Sequence, residues 1–459
     1  MQKTLSFIRS NQDRYLDELK QFLAIPSVST NPENKPDIQR CASWVATQMQ
    51  TIGLENINIM PTGGHPAVYG EWLKAPGKPT LLIYGHYDVQ PVDPLNLWTS
   101  PPFEATIRNG NLFARGSADD KGQVHIHFKA LEAWMKTMGS LPINVKMIIE
   151  GEEEIGSEHL EPFLKANKKL LKSDLVLISD TSMFARGVPS VCYGLRGLAY
   201  MQIDLMGPNR DLHSGSFGGS VHNPIQALTE IISQLHDDKG RITIPGFYDS
   251  VRKLSKKERD AYAKLPWSDK TYSKDLGVRE LYGEKGFSTL ERLWARPTLE
   301  CNGIWGGFTG EGAKTVLPAK ASAKISMRLV PDQKSGDIAK MFEKHIKKIA
   351  PKTVQVTVRN LHGGEAAITP IDHPGVQAAV SALEKGFGKK PLYQREGGSI
   401  PIVVQFKKIL GLDTVLLGFG LPDENAHAPD EFLNLDNYFG GIRTAAHYYN
   451  ELPGFLKRK

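Results

Sequence analysis

Short apolar runs alternate with helical patterns over the first 195 residues, and this alternation restricts the fold more than any other feature of the chain. The runs have the length and composition of buried strands and lie at 81–84, 143–149 and 175–178. Helix-period segments lie at 13–23, 36–52, 124–136 and 157–167. Because βαβ units place parallel strands side by side under helices, this pattern predicts an α/β fold with a mostly parallel, helix-covered sheet.

The middle of the chain has a different pattern and predicts a second domain. Strand-like alternation occurs at 199–206, 321–330 and 353–359, with amphipathic helices at 224–236 and 336–349 and a long insertion at 245–300. We interpret 196–365 as an α+β domain inserted into the α/β domain. The α/β domain is then discontinuous and comprises 1–195 and 366–459.

Composition excludes several classes of protein. With 40% apolar and 23% charged residues the chain is typical of globular domains and not of disordered ones. The net charge of +6 is spread over the sequence, which disfavours a nucleic-acid partner, and no apolar run of about 18 residues predicts a membrane span. Three cysteines without a CxxC pair, and an N-terminus that turns polar early, indicate a reducing cytoplasm. Any metal is then held by histidine and carboxylates.

Histidines and acids follow the predicted strands, where parallel sheets bind their ligands. The clusters are His86 with Asp88, Glu152 to Glu154, Asp180, Asp119 with Asp120 before a helix, and His427 near the C-terminus. Taken singly, each has an ordinary explanation: a surface turn, a helix cap or a solvated loop. Together they predict a site for zinc, manganese or cobalt. The surplus of carboxylates favours two ions that share a bridging ligand, as in metal-assisted hydrolysis.

Ten sequence strings identify a resemblance that spans nearly the whole chain. They are GHYDVQP (85–91), RGSADDKG (115–122), EGEEEIGS (150–157), LISD (177–180), DLHSG (211–215), TVLP (315–318), SMRLVP (326–331), HGG (362–364), REGGSIP (395–401) and the His427 loop. In this order they resemble the co-catalytic metallopeptidases and amide hydrolases that include acetylornithine deacetylase, succinyl-diaminopimelate desuccinylase, carboxypeptidase G and the carnosinases. The chain is most similar to the cytosolic non-specific dipeptidase and carnosinase branch.

The resemblance implies two divalent metal ions per subunit, most often zinc. One ion would be held by His86, Asp119 and Asp180, and the other by Asp119, Glu154 and His427. Asp119 would bridge the two ions, and the peptide bond that follows it would be cis. Asp88 would support the imidazole of His86.

The resemblance also implies the reaction. A metal-bridging water would attack the peptide bond of dipeptides or short peptides with a free C-terminal carboxylate. Glu153 would be the general base, since the distance to Gly156 and Ser157 selects it from the run of three acids. The same residue would return the proton to the leaving amine.

The inserted domain would act as a lid and make a homodimer. His213 would stabilise the oxyanion across the dimer interface, although its position also suits a helix-start histidine with local hydrogen bonds. Arg328 and His362 would hold the free carboxylate of the substrate, and the ordinary alternative for Arg328 is a solvated strand face. Further implied contacts to the substrate come from Thr315, Gly398 and Ser399.

Three alternatives compete with a dipeptidase. A deacylase or desuccinylase of N-acyl amino acids would share every metal ligand. A metal-free binding protein on the same fold would lack some of the six residues of the metal cluster, and all six are present: His86, Asp119, Glu153, Glu154, Asp180 and His427. A nucleic-acid binder is the least favoured, because no clustered basic stripe occurs.

Overall fold

The structure is a computed structural model that describes residues 1–398 and 400–456. The chain divides into two compact units. Unit 1 comprises Met1–Tyr193, Thr369–Gln394 and Ile402–Lys459, and unit 2 comprises Gly194–Ile368 and Arg395–Pro401. None of the described helices combines the length and the apolar composition that a bilayer crossing requires.

The longest strands of the structure lie in unit 2. In chain order they are β1 (Glu55–Met60), β2 (Ala67–Trp72), β3 (Thr80–His86), β4 (Thr106–Arg108), β5 (Asn111–Phe113), β6 (Asn144–Glu150), β7 (Leu175–Ile178), β8 (Ser190–Leu195), β9 (Gly197–Met206), β10 (Leu212–His213), β11 (Thr298–Gly306), β12 (Val316–Leu317), β13 (Lys320–Leu329), β14 (Gln355–Gly364), β15 (Ala367–Ile368), β16 (Leu392–Glu396), β17 (Thr414–Leu416) and β18 (Phe432–Asn434).

The helices include the predicted ones and several that the sequence pattern missed. In chain order they are α1 (Gln2–Ser10), α2 (Gln12–Leu23), α3 (Lys35–Ile52), α4 (Lys121–Met138), α5 (Leu160–Ala166), α6 (Ser214–Phe217), α7 (Pro224–Ser233), α8 (Lys256–Ala263), α9 (Asp269–Asp275), α10 (Thr289–Trp294), α11 (Ser335–Ile349), α12 (Pro374–Phe387), α13 (Pro401–Gln405) and α14 (Leu435–Phe455).

The large sheet of unit 1 runs in the order β1-β2-β6-β3-β7-β17-β8. Its four central strands, β6, β3, β7 and β17, are parallel. The flanking strands β1, β2 and β8 pair antiparallel, so the sheet as a whole is mixed. The predicted α/β class is confirmed, and the parallel arrangement holds at the centre. The central strands are almost continuously buried, which is typical of parallel strands covered on both faces.

The order of the central strands creates the crevice in which a site can form. Helix α4 connects β3 to its neighbour β6, whereas α5 connects β6 to β7 on the opposite side of β3. The chain therefore leaves β3 toward one side of the sheet and returns past β3 to its other side. Ligands of open α/β sheets bind at such a point, beyond the carboxyl ends of the strands.

Helix α4 lies in the core of unit 1, and two of its buried histidines are hydrogen-bonded to tyrosines of the same unit. His125 and His127 are fully buried, and each ring is hydrogen-bonded at 2.7 Å, to the hydroxyls of Tyr438 and Tyr449. Burial lowers the pKa of both histidines, that of His127 to about 3. Both are therefore neutral at physiological pH and serve packing, because charging either would leave an uncompensated buried cation.

Unit 2 is built on an antiparallel sheet in the order β11-β13-β9-β14. Helices α7 and α11 cover this sheet through an apolar core that includes Ile203, Leu228, Ile325 and Phe342. Each of the three strands predicted here, and both amphipathic helices, is present with slightly different ends. The region is α+β, as its alternating pattern predicts.

Candidate active site

His86 is the last residue of β3 and is fully buried. A Cβ atom at the preceding Gly85 would lie 2.5 Å from a methyl of Val124, so only glycine lets α4 approach the strand here. The Nδ1 atom of His86 faces Asp88, 3.1 Å from its backbone oxygen and 3.4 Å from its carboxylate. With Nδ1 occupied in this way, Nε2 points to the Oδ1 atom of Asp119 at 3.0 Å and is available to a ligand.

Asp88 also organises the turn that follows β6. Its two carboxylate oxygens accept the backbone N–H groups of Glu153 at 3.2 Å and Glu154 at 3.1 Å. Asp88 is fully buried, so these bonds connect the segment after β3 rigidly to the segment after β6. The neighbouring Glu152 is bonded elsewhere, to the His65 backbone N–H at 3.0 Å and to His159 at 2.9 Å.

The Asp119 loop turns tightly before α4. A Cβ at Gly122 would lie 1.9 Å from the Ser117 carbonyl oxygen, which excludes every other residue type without a shift of the backbone. The Asp119–Asp120 peptide bond is cis, as the resemblance implies. Asp119 presents its two oxygens in opposite directions, Oδ1 to His86 and Oδ2 to the Nε2 atom of His427, each at 3.0 Å.

Two groups of potential metal ligands share Asp119. One consists of His86, Asp119 and Asp180, and the other of Asp119, Glu154 and His427. Within each group the ligand atoms lie within 4.8 Å of one another. The structure thus brings together, in unit 1, the two sets that the resemblance names. Glu153 belongs to neither group, and its backbone N–H is bonded to the Asp88 carboxylate.

The electrostatics of this cluster fit cations. Burial and the neighbouring Asp119 raise the pKa of Asp180 and of Glu154, and burial raises the pKa of Glu153 to about 8. Asp119 itself is the exception: although burial opposes it, hydrogen bonds from His427 and His86 hold its pKa well below the usual range. The acids cannot all ionise together unless positive charge is added. Imidazole and carboxylate donors suit zinc, manganese or cobalt, so this donor set fits two divalent ions.

The metal-free protein is expected to lose stability as the pH rises from 6.5 to 8. The pKa of Glu153 is raised from 4.5 to about 8, and bonds to Asp119 and Glu154 raise that of His427 from 6.5 to about 10. In this window the folded chain keeps protons that the unfolded chain has released, so the free energy of unfolding falls with rising pH. Urea unfolding of the metal-free protein at the two pH values measures this. A urea midpoint that rises with pH would contradict the proposed repulsion among the buried carboxylates. Zinc-loaded protein serves as the control, because the metal replaces the protons on these groups.

Unit 2 holds the remaining predicted residues in two places. His213 ends β10 and pairs with Val316, beside Thr315, whose carbonyl accepts the Ser214 N–H at 3.0 Å. The Nδ1 atom of His213 accepts the N–H groups of Gly215 at 3.0 Å and Ser216 at 3.3 Å. The local hydrogen bonds of a helix-start histidine are therefore present. They also place the proton of the neutral ring on Nε2, where it can be donated.

The second place is the beginning of β9. Arg328 lies opposite Leu198, and His362 lies opposite Tyr200 on the other side of the strand. Since residues 198 and 200 share one face of β9, Arg328 and His362 share it too. The Gly398 carbonyl accepts the N–H of Arg196, just before β9, at 3.1 Å. Ser399, the last predicted contact, lies outside the described residues.

One polar contact of the site has no counterpart in the sequence-based assignment. The Nε2 atom of Gln90 donates to the Oε2 atom of Glu154 at 2.8 Å and so fixes the carboxylate that faces His427. Gln90 lies within the GHYDVQP string, but an amide two residues after an aspartate carries no signal of its own.

A profile of the peptidase family M20/M25/M40 matches residues 82–451, which include all six residues of the cluster. The chain belongs to this family. The Cys-Gly metallodipeptidase dug1 of Schizosaccharomyces pombe is 35% identical to it, over 98% of each protein. Human carnosine dipeptidase 1 has a TM-score of 0.86 at 31% identity, covering 99% of this chain and 98% of that one. The M20 family metallo-carboxypeptidase Sso-CP2 from Sulfolobus solfataricus has a TM-score of 0.86 at 35% identity, covering 96% and 99%. The predicted family and branch are confirmed.

Proposed function

We propose that this protein is a dipeptidase that uses two divalent metal ions to hydrolyse dipeptides or short peptides with a free C-terminal carboxylate. The observation that carries the proposal is the pair of ligand groups joined through Asp119. The carboxylate of Glu153 is close enough to interact electrostatically with His86, Asp119 and Glu154. The names of the relatives support it, since two are dipeptidases and the third is a metallo-carboxypeptidase.

His86, Asp119 and Asp180 would hold one ion, and Asp119, Glu154 and His427 the other, with zinc first and manganese or cobalt as alternatives. When bound, such a pair of ions lowers the pKa of a shared water and polarises the substrate carbonyl. Asp88 keeps the His86 ring and the Glu153 backbone in place. This shared support orients a ligand and the base together, which is the task of groups behind a metal site.

Glu153 is proposed to take the proton of the attacking water and to return it to the leaving amine. A general base works best when its pKa lies near the operating pH, and burial raises the pKa of Glu153 to about 8 in the metal-free protein. Its backbone N–H is fixed by Asp88, so the carboxylate starts from a defined position.

Unit 2 is proposed to recognise the substrate. Arg328 provides a guanidinium that can bind a carboxylate through two hydrogen bonds, and His362 shares its face of the sheet. Thr315, Gly398 and Ser399 are proposed as further contacts. A free carboxylate on the substrate would match the positive charge and the planar donor geometry of the Arg328 guanidinium.

A panel of dipeptides and N-acyl amino acids, assayed alongside measurement of bound metal, tests this function. We expect two ions per chain and hydrolysis of dipeptides, with N-acyl amino acids turned over far more slowly. Preferential hydrolysis of N-acyl amino acids would instead support a deacylase that uses the same ligands. A protein that binds no zinc, manganese or cobalt would contradict the proposal altogether.

The protein is further proposed to be a homodimer in which His213 acts across the interface. Support comes from the geometry of its ring: Nδ1 is occupied by two backbone N–H groups, and His213 is exposed. The Nε2 proton is then free to stabilise negative charge on the reacting carbonyl oxygen. A donor of this kind contributes roughly 3–4 kcal/mol to the transition state.

Mixing two inactive variants is expected to restore activity if His213 serves the partner subunit. His213→Ala and Glu153→Gln should each be nearly inactive alone. After co-refolding at equal amounts, about half of the dimers should be mixed and each should contain one complete site, giving roughly a quarter of the wild-type activity. The matched control mixes Glu153→Gln with Asp119→Ala, which cannot assemble a complete site. Mixed dimers that remain inactive with His213→Ala would show that His213 acts within its own chain.

A cytoplasmic location stays a prediction. It is supported by Cys41 and Cys301, which are free thiols, the second one exposed. Exposed free thiols are typical of reducing compartments. Cell fractionation measures the location directly, and recovery in an oxidising compartment would contradict it.

A further inference from the structure

Glu431 is a fully buried carboxylate four residues beyond His427, and its hydrogen bonds go to the loop that carries Asp119. Its Oε1 atom accepts the backbone N–H groups of Ala118 at 2.9 Å and Asp119 at 3.1 Å. Its Oε2 atom accepts the N–H of Gly116 at 3.0 Å and a guanidinium N–H of Arg115 at 2.6 Å. One side chain thus binds four of the five residues from 115 to 119.

The contacts extend to a third segment of unit 1. The Glu431 backbone oxygen accepts the N–H of Ala114 at 3.1 Å, so both its main chain and its side chain bind the loop. Arg115, the counter-charge of Glu431, is itself buried and also donates to the Pro91 carbonyl at 3.0 Å. Glu431 and Arg115 therefore join the segment after β3, the Asp119 loop and the end of the His427 loop. The first segment directly follows His86, and the other two carry Asp119 and His427, so all three adjoin or contain candidate ligands.

We propose that Glu431 is a positioning residue that sets the orientation of the Asp119 carboxylate and thereby the affinity for both metal ions. The inference rests on the proposed function, because it takes Asp119 as the shared ligand. A bridging carboxylate must present two oxygens in fixed directions, and a loop alone would not hold them. The two bonds to Oε1 fix the peptide groups on either side of Ala118, directly before Asp119.

Glu431→Gln is a sharp test, because it keeps the size of the side chain and removes half of its acceptors. Each carboxylate oxygen accepts two N–H groups, whereas an amide offers one oxygen and turns its NH₂ group toward the other two donors. Two of the four buried N–H groups would then face the NH₂ group of the glutamine and would lose their acceptor. The loop must shift to relieve this, and Asp119 lies at its end.

Glu424→Gln is the matched control, and Glu424 lies in the same loop as His427 and Glu431. Glu424 is also buried, and it accepts the N–H groups of Leu421 and Asn434, each at 2.8 Å. The substitution removes one acceptor from a pair of backbone donors here as well. Leu421 lies in the His427 loop and Asn434 ends β18, so neither donor belongs to the Asp119 loop. Glu424→Gln therefore reports any general effect of disturbing a buried carboxylate.

The experiment titrates Zn²⁺ into the metal-free wild type and both variants, in competition with a chromophoric chelator. We expect Glu431→Gln to bind both ions about 10-fold to 100-fold more weakly, as is usual when a group behind a metal ligand is lost, and Glu424→Gln to stay close to wild type. Equal affinity of wild type and Glu431→Gln would overturn the inference. An equal loss in Glu424→Gln would overturn it too, since the effect would then be general.

Circular dichroism and urea unfolding of the metal-free variants separate positioning from folding. If Glu431→Gln does not fold, Glu431→Asp, which keeps the charge but shortens the reach, is titrated in its place with the same expected loss. If neither variant folds, Glu431 is a folding determinant and the inference fails. Asp119→Ala, titrated in parallel, tests the proposed function separately: if it binds Zn²⁺ as wild type does, the ligand assignment is wrong, whatever Glu431→Gln shows.

Discussion

Glu153→Gln is expected to reduce kcat by about 100-fold to 10,000-fold while both metal ions stay bound. Glutamine has nearly the same shape, and the backbone N–H of residue 153 can still bond to Asp88. The lost property is the ability to accept and return a proton. Bound metal measured on the purified variant, together with kcat on a dipeptide, distinguishes this loss from the loss of a metal ligand.

The adjacent Glu152→Gln provides the matched control. Glu152 is committed to the His65 backbone and to His159, so its substitution should lower kcat much less. A large loss in Glu152→Gln with near-normal activity in Glu153→Gln would move the base by one residue. Loss of an ion from Glu153→Gln would mean that Glu153 is a ligand and that the roles within the acidic run are exchanged.

Asp119→Ala is expected to remove both ions, whereas His427→Ala should weaken mainly one. Asp119 is the one residue common to both ligand groups, with one oxygen directed to His86 and the other to His427. Loss of a group behind a ligand costs 10-fold to 100-fold in affinity, so loss of the shared ligand should exceed about 100-fold at each site. Zn²⁺ titration and metal analysis measure both stoichiometry and affinity.

Asp120→Asn is the control for Asp119→Ala. Asp120 is the next residue, is buried and belongs to neither group. Its Oδ2 atom accepts the backbone N–H of His86 at 3.2 Å. Asparagine can keep that bond, so both ions should remain. One ion bound at wild-type affinity after Asp119→Ala would refute the bridge.

The sequence predicts the central strands well, because each is a short apolar run with helices on either side. The run at 175–178 coincides with β7, and 81–84 lies within β3. The strands β1 and β2 are not predicted from the sequence. β1 is largely exposed and polar, so it lacks the apolar signal that a buried strand provides.

The identities of the candidate ligands also follow from the sequence, since histidines and acids after buried strands meet at one edge of a parallel sheet. Their grouping required the resemblance, because spacing along the chain does not indicate which acid faces which histidine. Asp119 and His427 are 308 residues apart, and their 3.0 Å contact depends on how α4 and the His427 loop pack.

The sequence by itself determined the fold class, the family and the types of residue available for chemistry, because these depend on local periodicity and on strings of adjacent residues. The tertiary structure alone decided which of those residues share an ion, and which buried carboxylates support them. Asp88 bonds to a turn 65 residues away, and Glu431 holds a loop more than 300 residues before it. Such bonds leave no periodic trace in the sequence, because their partners are backbone N–H groups, which every residue except proline possesses. Only the packing of strands, helices and loops selects which of these identical donors reaches a buried carboxylate.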